Sequence, residues 1–271
     1  MPNRIDELRA LLRSYESTVV CFSGGVDSAL VLAVAHEQLG SRCVGLTTTS
    51  DSLLSDERLA AEQFAARIGA RHVLVRSNEL ADPRYAENSV NRCYFCKSEL
   101  YSIARRVADE HAARTISNGT NKDDLGDYRP GLEAAKEANV RSPFLELGMS
   151  KQDVRDTALA LGLELWDKPA AACLSSRIPY GTSVTQERLA MIGRAESALR
   201  KLGFRQLRVR YHDSLARIEV GGAELERAFA ERAAISRVVR EAGFKYVTLD
   251  LDGYRVGSHN EVVRLPVLRS S

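Results

Sequence analysis

Residues 23–28 read Ser-Gly-Gly-Val-Asp-Ser, two adjacent glycines set among hydroxyls and a carboxylate. Thr18-Val19-Val20-Cys21-Phe22 before them is a short, β-branched apolar run, the pattern of a buried parallel strand. Ala29 to Ala35 after them is apolar throughout and predicts a helix buried on most of its faces. A strand, a tight paired-glycine turn and a helix N-terminus make an anion site, because glycine lets the backbone come close and the first helical N–H groups point at the ligand. The Walker pattern G-x-x-x-x-G-K-[ST] is absent. With no lysine in the loop, Ser23, Ser28 and backbone N–H groups would hold phosphates. Asp27 beside a polyanion calls for a divalent cation to bridge the two.

Five cysteines form the second set. Cys21 and Cys43 fall inside apolar strand patterns and read as small buried hydrophobes. Cys93 and Cys96 form a C-x-x-C pair just before a predicted helix, close enough to share a metal or act as a redox pair. Two thiols cannot complete a structural zinc site, and no second C-x-x-C exists. Cys173 stands in a loop rich in proline and small residues, 168–181, four residues before Arg177. Two readings stay open for it: a thiolate favoured by the guanidinium, or a linker cysteine packed at a junction. Arg208 and Arg210 share one strand face with Cβ atoms about 7 Å apart. Such a pair suits a forked clamp on phosphate or carboxylate, and equally a solvated strand face. Glu196 on the preceding helix could orient them, bind a metal or simply face solvent.

The elements that must position these groups alternate through the first 165 residues. Strands are predicted at 43–47, 72–75 and 115–117. Helices follow from the apolar spacing of Ala61, Phe64, Ala65 and Ile68, capped by Ser55, of Leu100 to Ala108, and of Val154, Ala158 and Leu161, capped by Ser150. The series argues for an α/β fold, a parallel sheet with helices on both faces. Ligands bind such sheets outside the carboxyl ends of the strands, where loops 23–28, 47–55 and 117–131 should converge. The pattern changes after Leu165-Trp166-Asp167-Lys168-Pro169, so the expected domains are 1–167 and a small α+β domain, 168–271. In the latter, Thr185 caps a helix, residues 207–212 and 216–220 alternate as half-buried strands, 223–242 is helical, and Val247, Leu249 and Leu251 mark a last strand.

Composition is that of a globular chain, with 44% hydrophobic and 27% charged residues. Net charge is +2, from 38 basic against 36 acidic residues, which argues against an electrostatic nucleic-acid binder such as a tRNA partner. No apolar run reaches membrane-spanning length and the first residues form no signal peptide, so no membrane partner and a cytoplasmic location are expected.

The loop at 23–28 resembles the PP-loop of the ATP pyrophosphatase superfamily. Together with Arg92-Cys93-Tyr94-Phe95-Cys96-Lys97, Asn118 to Asp124, Asp127-Tyr128-Arg129-Pro130-Gly131, Lys168 to Gly181, Leu207 to His212 and Gly253 to Ser258, it makes the chain similar to the LarE family over most of its length. That resemblance implies an adenine nucleotide alpha hydrolase-like domain and ATP-dependent sulfur insertion into pyridinium-3,5-biscarboxylic acid mononucleotide, a step of nickel-pincer cofactor biosynthesis. It implies that Ser23, Gly24, Gly25, Val26 and Ser28 bind phosphate, and that Asp27 and Asp124 hold Mg²⁺. Thr47, Thr48, Thr49, Gly119 and Thr120 would border adenosine, and Arg129 the activated acyl phosphate. Cys173 takes the sulfur-donor place, and Lys97, Ser176, Arg177, Glu196, Arg208 and Arg210 the substrate's. Family members with only the donor cysteine sacrifice its sulfur, whereas members with three resemble iron–sulfur sulfurtransferases. Cys93, Cys96 and Cys173 therefore imply a [4Fe–4S] cluster with an exchangeable sulfide. The resemblance also implies a homo-oligomer, a hexamer. A tRNA thiolase, an ammonia-dependent synthetase and a nucleotide-binding regulator are the competing readings.

Overall fold

Val19 and Cys21 turn to one side of the first strand, β1 (Thr18–Cys21), while Val20 and the following Phe22 turn to the other; all four are buried in the computed structural model of the chain. The structure describes residues 4–126, 130–168 and 172–255. Arg129 and the 127–128, 169–171 and 256–258 parts of the motifs quoted above lie outside the described residues. A period of two with both faces apolar is what a central parallel strand requires.

β2 (Cys43–Thr49), β3 (Arg71–Arg76) and β4 (Thr115–Ser117) complete a four-stranded, wholly parallel sheet in the order β3-β2-β1-β4. On the Val20–Phe22 side lie α1 (Arg4–Ser14), which sequence periodicity did not single out, α2 (Val26–Leu39) and α3 (Ser55–Arg67). A short α4 (Pro83–Ala86) precedes α5 (Arg92–Glu110), which with α6 (Pro130–Glu137) covers the Val19–Cys21 side. α7 (Pro143–Glu146) and α8 (Lys151–Ala160) return to the first side through Phe144 and Val154. The fold is therefore α/β with helices on both faces. The chain runs outward from β1 to β3 and then crosses to β4 on the other side of β1, so the strand order reverses between β1 and β4. That reversal leaves a crevice at the carboxyl ends of the strands.

By contact, the described residues fall into two units: Met1–Tyr85 with Asn91–Ala171, and Ala86–Val90 with Ala172–Ser271. The five-residue segment 86–90 belongs with the second unit because Asn88, fully buried at φ +57°, donates from Nδ2 to the carbonyls of Pro179 (2.8 Å) and Thr182 (2.9 Å). Gly181 N–H returns a bond to Asn88 O, and Val184 N–H one to Ala86 O. The second unit continues with α9 (Gln186–Lys201), capped by the Thr185 hydroxyl, and β5 (Leu207–His212). β6 (Leu215–Val220), α10 (Leu225–Ala230), α11 (Arg232–Glu241) and β7 (Tyr246–Leu249) follow. β5 and β6 are antiparallel across a two-residue turn with Asp213 at φ +54°, and β7 joins β6 in parallel after the helical crossover.

Several local expectations change. β2 runs two residues further than its apolar stretch, taking Thr48 and Thr49 out of the loop. Ser55 is the first residue of α3 and makes no capping bond. The helical stretch 223–242 breaks at Glu231, and Leu251 lies beyond β7, 85% exposed. β5 is buried on both faces from Leu207 to Tyr211, although its sequence alternates apolar with cationic. Leu32, fully buried on α2, sits where any β-carbon on Gly45 would come within 3.1 Å of it. Leu32→Ala leaves a cavity at this contact and should lower unfolding stability by about 3 kcal/mol, read as a fall in the urea midpoint at unchanged slope.

Candidate functional site

In the first unit, the 23–28 loop is held open by its own side chains. Ser28 Oγ accepts from Ser23 N (3.1 Å), meets Ser23 Oγ at 3.1 Å and donates to Gly25 O (3.1 Å). Gly24 takes φ +76°, a conformation that favours glycine. Gly25 is the N-cap of α2 and has no side chain with which to cap it, which suits the first helical N–H groups to an anion. From across the crevice, beyond β4, Gly119 packs directly onto this turn: a β-carbon there would lie 2.6 Å from Ser28 N and 2.8 Å from the Asp27 carbonyl carbon. The two loops that the topology brings together therefore touch backbone to backbone.

Asp27 is engaged on both oxygens. Lys151, the first residue of α8, forms an ion pair with Oδ2, and Asn121 Nδ2 donates to Oδ1 (3.3 Å). Asp124 Oδ2 accepts from the backbone N–H of Asn121 (3.0 Å), and Asp123 Oδ2 from that of Lys151 (2.9 Å). Asn121 is thus the hub of the 118–124 segment. Among the described residues no group of three or more His, Cys, Asp or Glu side chains is gathered to hold a metal ion. A second ammonium reaches the loop from Lys168, which donates to Gly24 O (2.9 Å) and pairs with Glu57 of α3 (2.7 Å). Neither lysine was legible as a partner, because 124 residues separate Asp27 from Lys151 and 144 separate Gly24 from Lys168.

Thr47 is buried, and its hydroxyl donates to Phe22 O (2.6 Å) while meeting His72 Nε2 at 2.8 Å. A hydroxyl has one proton to give, so His72 is the donor of the second bond and carries its proton on Nε2. Burial holds its pKa below the ordinary range against a weaker opposing pull from Glu62. Thr48 and Thr49 are half-buried, as is Thr120, whose N–H bonds Asn118 Oδ1 (3.0 Å).

The C-x-x-C pair lies inside the first turns of α5, not before it. Cys93 is exposed; Cys96 is half-buried, and its thiol donates to Glu79 Oε2 (3.4 Å). Glu79, buried just beyond β3, accepts on Oε1 from Ser50 (2.9 Å), Ser52 and Tyr85 (3.1 Å). Gly131 packs on the stem of Lys97, whose Cγ would be 2.9 Å from any β-carbon there. Burial works against the Lys97 charge, but Tyr101, Cys96, Cys21 and Cys93 around it carry its pKa upward overall. Burial pushes the thiols of Cys21 and Cys43 up to about 12.

In the second unit, Cys173 is exposed at the head of a 3₁₀ turn, Leu174–Arg177. Arg177 is 1% exposed. Its Nη1 donates to Ala172 O (2.8 Å), Cys173 O (2.9 Å) and Ser176 Oγ (2.9 Å), and its Nε and Nη2 grip Glu196 at 2.8 and 3.1 Å. Glu196 is fully buried and also accepts from Arg200 (3.2 Å) and Val209 N–H (3.1 Å). Burial alone would raise its pKa, but Arg177, Arg200 and Arg208 hold it below the usual carboxylate range. Arg210 is likewise bidentate to buried Glu219 (2.9 and 2.8 Å) and donates to Ser176 O (2.9 Å). Arg208 donates to Leu207 O (2.8 Å) and lies 5.0 Å from the Tyr254 ring centroid; burial and the neighbouring charges of Arg177 and Arg210 lower its pKa. The open reading of a solvated arginine face is thereby excluded: Arg208 and Arg210 are 8% and 7% exposed.

Glu196→Gln leaves Arg177 buried beside a neutral partner and should cost about 3 kcal/mol or more. The folded pKa of Glu196 lies below its unfolded value, so its contribution is full above about pH 4.5 and is lost as pH falls through the folded value. Urea midpoints taken from pH 7 to pH 3 should therefore fall less steeply for the variant than for the parent chain.

A family model described as asparagine synthase matches residues 6–91. An uncharacterized protein of Synechocystis sp. is 45% identical over 266 residues, 97% of this chain and 99% of that one. The pyridinium-3,5-bisthiocarboxylic acid mononucleotide synthase of Lactiplantibacillus plantarum is 37% identical over 257 residues, 94% of this chain and 93% of its own. An uncharacterized protein of Methanocaldococcus jannaschii is 29% identical over 237 residues, 88% and 90% of the two chains. With a nucleotide-type turn at the strand-order reversal, and similarity to a named synthase along nearly the whole of both chains, this chain belongs to the LarE family of PP-loop proteins.

Proposed function

We propose that the chain is an ATP-dependent sulfurtransferase that converts pyridinium-3,5-biscarboxylic acid mononucleotide into its bisthiocarboxylic product. The observation that carries this reading is the 37% identity to the synthase of that name over 94% of this chain. Ser23, Ser28, Gly119 and the capless start of α2 would hold the phosphates of ATP. A substrate carboxylate oxygen attacks the α-phosphorus, the α–β anhydride bond breaks, and pyrophosphate leaves. The acyl adenylate that results has a good leaving group, which a free carboxylate lacks. Lys151 would place positive charge beside the departing phosphates.

Arg208 and Arg210 would receive the substrate's own phosphate, with Ser176, Arg177 and Glu196 shaping the substrate side beside them. Arg177, Arg208 and Arg210 bring three guanidiniums into this buried cluster, the donor chemistry that a phosphate takes. Cys173 would supply or relay sulfur to the activated acyl carbon with departure of AMP. It lies five positions beyond Lys168, so the covalent chain alone keeps the two Cα atoms within roughly 18 Å.

Cys93, Cys96 and Cys173 would be the three thiolate donors of a site-differentiated [4Fe–4S] cluster; this reading rests on the family resemblance, since no group of three such ligands is gathered among the described residues. Bound there, the cluster would supply an exchangeable sulfide. Asp27 and Asp124 are engaged with Lys151 and Asn121, so Asp27 fits Mg²⁺ only by exchanging its ammonium partner for the ion. A homo-oligomer in the cytoplasm remains part of the reading.

Incubation with ATP, Mg²⁺ and the biscarboxylated mononucleotide, followed by mass spectrometry of small molecules and protein, tests the assignment. Thiocarboxylate and pyrophosphate should appear together, and Cys173→Ser should still release pyrophosphate while making no thiolated product. Anaerobic protein should show the broad visible absorption of iron–sulfide charge transfer, and Cys173 should keep its mass after turnover. A colourless protein whose Cys173 has lost hydrogen sulfide would decide for sacrifice of the cysteine. Pyrophosphate release driven by tRNA, with none from the mononucleotide, would overturn the substrate.

A further inference from the structure

Lys168 is absent from the roles assigned by family resemblance, yet its ammonium is bound to the main chain of the nucleotide turn. The donated bond goes to Gly24 O at 2.9 Å, and the second partner, Glu57 Oε2, lies at 2.7 Å. The Lys168 and Glu57 side chains are 22% and 18% exposed, so the pair is largely shielded from water. Glu57 occupies the first turn of α3, where a carboxylate is favoured by the helix dipole. The first two turns of α3 pack on the glycine: a β-carbon on Gly24 would stand 3.3 Å from Ala61 Cβ and 3.5 Å from Glu57 O.

The peptide unit is planar and trans, so the Gly24 carbonyl and the Gly25 N–H point in opposite directions. Whatever fixes the one fixes the other. A Gly–Gly peptide has the least intrinsic resistance to rotation, because neither residue has a β-carbon to restrict it. An ammonium on the carbonyl also polarises the peptide and makes its N–H a stronger donor.

We propose that Lys168 is a positioning residue for phosphate binding: by holding the Gly24 carbonyl, it turns the Gly25 N–H toward the anion. The inference rests on the reading of 23–28 as the nucleotide loop. Because Lys168 begins the segment that leads to Cys173, the same bond ties the conformation of that segment's root to the state of the loop. The chain's single tryptophan, Trp166, lies two residues away, 39% exposed, and serves as the reporter.

The test measures Kd for magnesium pyrophosphate and for adenosine by calorimetry, with Trp166 emission followed in the same titrations. The parent chain is compared with Lys168→Met, which keeps the apolar stem, and Lys168→Arg, which keeps a cationic donor. Lys168→Met should bind pyrophosphate about tenfold more weakly, bind adenosine as the parent does, and lose the pyrophosphate-dependent change in Trp166 emission. Lys168→Arg should restore pyrophosphate affinity to within a few-fold. The tenfold ratio should persist at 0.5 M salt, where exposed charges are screened within about 4 Å. Equal pyrophosphate affinity in Lys168→Met overturns the proposal, as does a ratio that vanishes at high salt, since that would be plain charge attraction. Equal loss of adenosine and pyrophosphate affinity overturns it too, as general damage to the pocket. Failure of the parent chain to bind pyrophosphate at all would remove the nucleotide-loop reading along with it.

Discussion

A β-carbon on residue 119 would stand 2.6 Å from the amide nitrogen of Ser28, so the loop after β4 reaches the loop after β1 only because no side chain intervenes. The geometry of the first unit follows from this contact. Strand order reverses between β1 and β4, which opens a crevice that no crossover fills. Gly119 closes its floor against the first turn of α2. From there Asn121, two residues further on, reaches Asp27, and the 118–124 segment comes into register with the start of α8. A larger residue at 119 would have to push apart backbone atoms, with no flexible side chain to yield in their place.

The two units handle charge in different ways. Around the nucleotide turn, Lys151 with Asp27 and Lys168 with Glu57 keep between 18% and 32% of their side-chain surface in water. Pairs in that environment exchange partners at modest cost, which suits a loop whose polyanion must arrive and leave in two pieces. In the second unit, Arg177 and Glu196 are 1% and 0% exposed, and Arg210 and Glu219 are 9% and 1%. Removing one member of such a pair strands its partner without water, at a cost of about 3–5 kcal/mol. The first arrangement is built to rearrange and the second to stay fixed.

Contacts between neighbours in sequence were legible; contacts between distant charges were not. Ser23 to Ser28 announced strand, turn and helix because the glycines and apolar runs sit side by side, and the capping box of Ser150 with Asp153 is equally local. Lys151 and Lys168 left no trace, since nothing in a lysine's neighbourhood says which carbonyl or carboxylate it will meet across the fold. The alternation of 207–212 suggested a strand wet on one face, but Arg210 is buried against Glu219 of β6 and Glu196 of α9 takes the Val209 N–H between the two arginines. The segment 86–90 has no periodicity at all, and the buried amide of Asn88, with backbone bonds from Gly181 and Val184, places it. Thr47 closes the predicted second strand, but nothing local announced that its hydroxyl would meet His72 of β3.

The spacing of Cys173 and Arg177 left open a thiolate favoured by the guanidinium or a linker cysteine packed at a junction, and the geometry shows what the arginine's donors hold. Nη1 is shared among three oxygens of one turn, and Nε and Nη2 are committed to Glu196. Two of those oxygens are the carbonyls of Ala172 and Cys173, so the arginine fixes the backbone on which the sulfur is mounted while the side chain itself stays exposed. Glu196 in turn fixes the arginine and accepts the Val209 N–H, linking the turn to β5. A lysine could not do this: a single ammonium lacks the planar fork that grips a carboxylate with one edge and carbonyls with the other. A thiol mounted on a fixed backbone keeps its Cα in place while its own tip stays free to turn, and misplacement by about 1 Å can cost two orders of magnitude in the rate of a reaction.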